Sequence, residues 1–139
     1  MRSNTVYIAG PMRGYANNNA EAFNRAEARL LRRGFKVFNP VSIGRGIASD
    51  KDIEDDPELL RSVMRIERSL IRHCEAIYLL EGWENSKGAK SELVSAISFN
   101  CKVLLESKDV EARLDKEYKN GKKPWDHDGA ETPGAEVHS

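Results

Sequence analysis

The sequence predicts an α/β domain built on a parallel sheet of four to five strands. Three observations lead there. Short apolar runs end in Gly, Pro or Asn, and the stretches between them carry apolar residues at helical spacing. Strand, helix and strand then recur within about forty residues, which is the βαβ unit of a parallel sheet with right-handed crossovers.

The first strand is residues 6–9, Val-Tyr-Ile-Ala, a fully apolar run stopped by Gly10 and Pro11. The loop through Met12, Arg13 and Gly14 leads to Asn17, Asn18 and Asn19, which are candidate N-caps. Beyond them Phe23, Ala26, Leu30 and Leu31 give the apolar face of a first helix that Gly34 ends. Residues 35–38, Phe-Lys-Val-Phe, form the second strand, closed by Asn39 and Pro40. Residues 41–56 change to Ser, Gly and Asp around Gly44-Arg45-Gly46 and read as a long functional loop. Pro57 suits a first helical turn, after which Leu60, Val63, Met64, Leu70, Ile71 and Cys74 line one side of a helix. Arg61, Arg65, Arg68 and Arg72 line the other, as a solvated or subunit-contacting face. Residues 76–80 are the third strand, a helix follows to about Asn100, and residues 102–105 are the fourth. Residues 109–119 suit one more helix, and 120–139, poor in apolar residues, read as a flexible tail or a short fifth edge strand around Trp125.

With 139 residues, 40% hydrophobic and 32% charged, one domain with one core is expected. Lys plus Arg and Asp plus Glu are 22 each, so no overall field draws the chain onto a nucleic-acid polymer or an anionic membrane. No apolar run approaches the roughly 20 residues of a membrane span. Cys74 and Cys101, in apolar surroundings and without metal-ligand spacing, fit buried thiols in a reducing cytoplasm.

Ligands of an open parallel sheet bind beyond the carboxyl ends of its strands, where loops and helix N-termini converge. That rule selects the loops after strands one, two and three. They offer Gly10, Arg13, Gly14, Arg45, Ser86 and Gly88 to an anionic or phosphorylated ligand, and Tyr15 and Trp83 as flat surfaces, although Trp83 equally suits packing. Neither a phosphate-binding Walker loop nor a dinucleotide fingerprint occurs, and no metal cluster or nucleophile-histidine arrangement is present. No cofactor is therefore expected, and any chemistry falls to carboxylates. Two stand out. Glu67 shares the apolar stripe of its helix, with Met64, Val63, Leu70 and Ile71 at three and four residues, none of them basic. Such an acid has a raised pKa or a functional reason to be there. Glu92 has Gly88, Ala89, Ser95 and Ala96 at the same spacings, small residues that leave space above the carboxylate.

Taken together, Tyr7-Ile-Ala-Gly-Pro-Met-Arg-Gly14, a helix, Gly34-Phe-Lys-Val-Phe-Asn-Pro40, a helix bearing an acid, an apolar strand, and Gly82-Trp-Glu-Asn-Ser-Lys-Gly-Ala89 before Glu92 resemble the nucleoside 2-deoxyribosyltransferase superfamily over residues 6 to about 105. They are similar also to its 2'-deoxynucleoside 5'-phosphate N-hydrolases. The resemblance implies a flavodoxin-like, three-layer sandwich over residues 1–119. It also implies cleavage of the N-glycosidic bond of a 2'-deoxynucleoside or its monophosphate, by hydrolysis, by base transfer, or in a member that only binds. It implies Glu92 as the nucleophilic glutamate, which attacks the anomeric carbon or stabilises its positive charge, Glu67 as the acid assisting the leaving base or orienting the sugar, Tyr7 beside the nucleophile, Arg13 and Ser86 as phosphate contacts, and a homo-oligomer. Glu stands at 67 and 75 where that family has Asp, and Pro11 where the phosphate hydrolases have Ser. The oxocarbenium-like transition state of such cleavage suits one ionised and one protonated carboxyl. Glu92, early in its helix, is expected to be the ionised one and Glu67 the protonated one.

Overall fold

The computed structural model describes residues 4–45 and 55–106, with the backbone alone for 43–45. Four strands, β1 (Thr5–Ala9), β2 (Lys36–Phe38), β3 (Ala76–Leu79) and β4 (Lys102–Leu105), form one parallel sheet in the order β2-β1-β3-β4. The helix expected over 109–119, the tail from 120 and the edge strand around Trp125 lie outside the described residues.

The registers pair Tyr7 with Phe38 on one side and with Ile77 on the other, so β1 is a central strand. Being covered on both faces, it is buried at every position, and after Thr5 its residues Val6 to Ala9 are hydrophobic in succession rather than alternately. Val6, Ile8, Tyr78, Leu80 and Leu104 pack with Phe23, Ala26 and Leu30 of α1 (Ala20–Arg32). Tyr7, Ala9, Ile77, Leu79 and Val103 pack on the opposite face with Ile71 of α3 (Pro57–Arg72), with Cys74, and with Ala89 and Ala96 of α4 (Lys87–Ser98). The result is three layers, helix, sheet and helices.

Three local expectations change. Residues 41–56 do not all form a loop, because Pro40–Arg45 is a short helix, α2. Pro40 starts it with a φ already helical, and the Asn39 side chain accepts a hydrogen bond from Val41 N at 3.0 Å. Residues 46–54 lie outside the described residues. Asn19 occupies the N-cap of α1 without capping it: its φ is 63, and its amide donates instead to Pro11 O at 2.9 Å. Asn17 and Asn18 share that left-handed conformation, which Asn tolerates better than most residues. Leu31 and Met64, placed on buried stripes, are 51% and 44% exposed. Each follows by one residue, a 100° rotation, the residue that lies on the true seam, Leu30 or Val63. The seam of α3 runs Val63, Glu67, Ile71, Cys74, with Glu67 at its middle.

Asp56 caps α3, accepting from Glu58 N and Leu59 N at 3.0 and 3.1 Å, while Pro57 follows it. All four arginines on the outer side of α3 are exposed, and the guanidinium groups of Arg68 and Arg72 lie over the Phe99 ring at 5.3 and 5.9 Å. No described helix is long and apolar enough to cross a membrane.

Candidate active site

In the order β2-β1-β3-β4 the chain turns to opposite sides of β1, and the loops after β1 and β3 run side by side at the carboxyl end of the sheet. Tyr7 projects from β1 toward the α3 and α4 layer and is wholly buried. Its hydroxyl donates a hydrogen bond to Glu92 Oε2 on α4. The same hydroxyl bears on the carboxyl of Glu67 from α3. Strand β1 and the two helices thus bring together the three residues singled out for chemistry. The small neighbours of Glu92 act differently from expectation. Ala89, Ser95 and Ala96 are buried, so instead of opening space above the carboxylate they let α4 settle close to the sheet, which brings Glu92 to Tyr7.

Both carboxyls are shifted upward. Burial is the larger cause at Glu92, the nearby Glu67 carboxyl adds to it, and the Tyr7 hydrogen bond opposes them, leaving Glu92 at about 8. At Glu67 burial raises the pKa and Tyr7 again pulls it down. Burial and the charges of Glu92 and Glu67 hold the Tyr7 proton on well above its ordinary range. The expectation of an ionised Glu92 is corrected, since its carboxyl is pushed up to about 8. Glu92 lies in the second turn of α4, where the helix dipole has faded, and desolvation beside a second acid outweighs it. Two carboxyls so close to one phenol share protons as one unit, and a cationic group entering between them would favour the anion.

The remaining candidates divide by position. Gly10 is buried at the end of β1, and a Cβ there would stand 2.7 Å from Leu80 Cβ, so the close passage of the two chain segments requires glycine whatever else it does. Arg13 and Gly14 are exposed in the loop after β1. Ser86 caps α4, accepting from Ala89 N at 3.1 Å, and a Cβ on Gly88 would meet only Ser86 Oγ at 3.9 Å, so the first turn of α4 is open. Trp83 is half-buried against the layer of α3 and α4. Arg45 ends α2, and its side chain lies outside what is described. Sequence reasoning missed two groups that hold the loop after β3. Gly82, at φ +91, lets the Tyr15 hydroxyl and Pro11 approach the loop after β3. Glu106 straps that loop from beyond β4, accepting from Glu81 N at 2.9 Å and from Arg29 Nη2 at 2.8 Å. The Gly in Glu81-Gly82-Trp83 was a signal for the first; nothing local marks the second.

A family described as a domain of unknown function, DUF4406, matches residues 4–105, and the chain belongs to that family. Among curated proteins none matches the chain.

Proposed function

With membership of that family as the premise, we propose that this protein is an N-glycosidase that hydrolyses the bond between base and sugar in 2'-deoxynucleoside 5'-monophosphates. The observation that carries the reading is the pair of carboxyls, Glu67 and Glu92, brought to one buried phenol between a parallel sheet and the layer of α3 and α4. The order and spacing of the motifs resembling nucleoside 2-deoxyribosyltransferases support the sugar and the bond.

Glu92 releases its proton to solvent as the substrate binds and attacks the anomeric carbon as that carbon becomes cationic, and Glu67 gives its proton to the departing base. Water then displaces Glu92 while Glu67 takes up the water's proton, as in retaining glycoside hydrolysis. The raised pKa of Glu92 makes its ionisation the event that readies it for attack, and the developing oxocarbenium ion then supplies the positive charge that favours the anion. Arg13, Ser86 and the open first turn of α4 at Gly88 receive the 5'-phosphate, and Gly14 and Trp83 border the substrate.

Incubation with a panel of canonical and modified deoxynucleoside monophosphates, followed by chromatography for free base, tests the reading. Base release is expected, with Glu92→Gln slower by about a thousandfold or more. Full activity of Glu92→Gln, or no release from any nucleotide, would sink the proposal. A new nucleotide formed when free base is added would assign base transfer instead.

A further inference from the structure

The two halves of the site have separate supports. Glu92 is placed by the seat of α4, whose Ala89, Ser95 and Ala96 are buried, and by its hydrogen bond from Tyr7. Ser86 and Gly88 are instead placed by the segment that carries the chain from β3 into α4. In that segment the amides of Trp83, Asn85 and Ser86 close a short 3-10 turn on the carbonyls of Leu80, Gly82 and Trp83. The turn satisfies itself, and its first residue, Glu81, is bonded elsewhere. Glu81 N donates to Glu106 Oε1 at 2.9 Å.

Glu106 is itself held at both ends. Its amide donates to Leu79 O at 2.8 Å, which continues the pairing of β3 with β4 by one residue. Its other carboxyl oxygen, Oε2, accepts from Arg29 Nη2 of α1 at 2.8 Å. The side chains of this ion pair are only 28% and 20% exposed, so water competes weakly for either oxygen. One carboxylate thus ties the loop after β3 to the end of β4 and to the helix on the opposite face of the sheet. None of these bonds passes through Tyr7 or Glu92.

We propose that Glu106 is a positioning residue for the 5'-phosphate, fixing through the Glu81 amide the path of the chain into Ser86 and the first turn of α4. The inference rests on the glycosidase reading for its ligand. A carboxylate accepting from a backbone amide makes a stronger bond than a neutral acceptor does, and without it the loop gains freedom that a bound phosphate must remove again. Phosphate binding is weakened by that cost, while the Tyr7–Glu92 contact keeps its own supports.

2-Deoxyribose 5-phosphate has no base to release, so it reports binding without turnover. Its titration into the parent chain and into Glu106→Ala is followed by NMR at the amides of residues 82–88. Glu106→Ala is expected to bind it about tenfold more weakly. The titration midpoint of Glu92, read in the same two chains with 13C-labelled glutamate, is expected to stay unchanged, whereas general loosening of the fold would move it. Equal binding by the two chains, a shifted Glu92 midpoint, or no binding by the parent would each overturn the proposal. Should Glu106→Ala fail to fold, Glu106→Gln keeps an acceptor for Glu81 N and gives up the charge. It is expected to bind about threefold more weakly, and unmoved binding overturns the proposal in the same way. Absent base release with these binding differences intact would sink the glycosidase reading alone.

Discussion

A carboxyl that is harder to ionise in the folded chain than in the unfolded one makes folding depend on pH with a definite sign. Between the ordinary value of 4.5 and about 8, folded Glu92 keeps a proton that the unfolded chain has released. Stability therefore falls as pH rises through that window and levels off above it. Glu92→Gln is expected to raise the thermal midpoint by roughly 5 °C or more at pH 8 and to leave it unchanged near pH 4.5, as read by calorimetry at both pH values. A midpoint lowered equally at both would mean that Glu92 is a structural acceptor rather than a strained acid. Glu67 and Glu92 were legible in the sequence because an ionisable group on an apolar or small-residue stripe is costly without a use. Their charge states were not legible. Those depend on Tyr7, 85 residues from Glu92 in sequence, and on how closely α4 approaches the sheet.

At the scale of elements, periodicity located the strands and the three long helices to within a residue or two, because each carries enough turns or paired positions to show its period. Six residues do not, so α2 was hidden inside a stretch that composition marks as loop. Its signals were end signals, Pro40 and the Asn39 cap, and the latter needed the fold to be recognised. Asn39 is held in place by donating to Asn24 Oδ1 and Glu27 Oε1 at 3.0 and 2.9 Å, both on α1. The start of α3 offers a direct test of cap energetics. Asp56→Ala removes the acceptor for two amides and is expected to cost about 1 kcal/mol in a urea melt, with faster hydrogen exchange confined to the first turn of α3. Unchanged stability and exchange would show that solvent satisfies those amides equally well.

Across the whole molecule, the strand order turns a scattered set of residues into one site. Tyr7 comes from the first strand, Glu67 from a helix after the first βαβ unit, and Glu92 from the helix after β3. Parallel pairing of β1 with β3 and docking of both helices must all precede their meeting. Contacts joining residues so far apart in sequence are expected to close late, so the crowding of the two acids is expected to develop after the transition state for folding. Its release should therefore appear in the rate of unfolding. In stopped-flow measurements at pH 8, Glu92→Gln is expected to unfold about tenfold more slowly or less, with a refolding rate within about twofold of the parent. Faster refolding instead would place the acids together in the folding nucleus. The placement of Tyr7 beneath two neighbouring helices of one layer makes the site shorten the lifetime of the native state and leaves the route to that state unhindered.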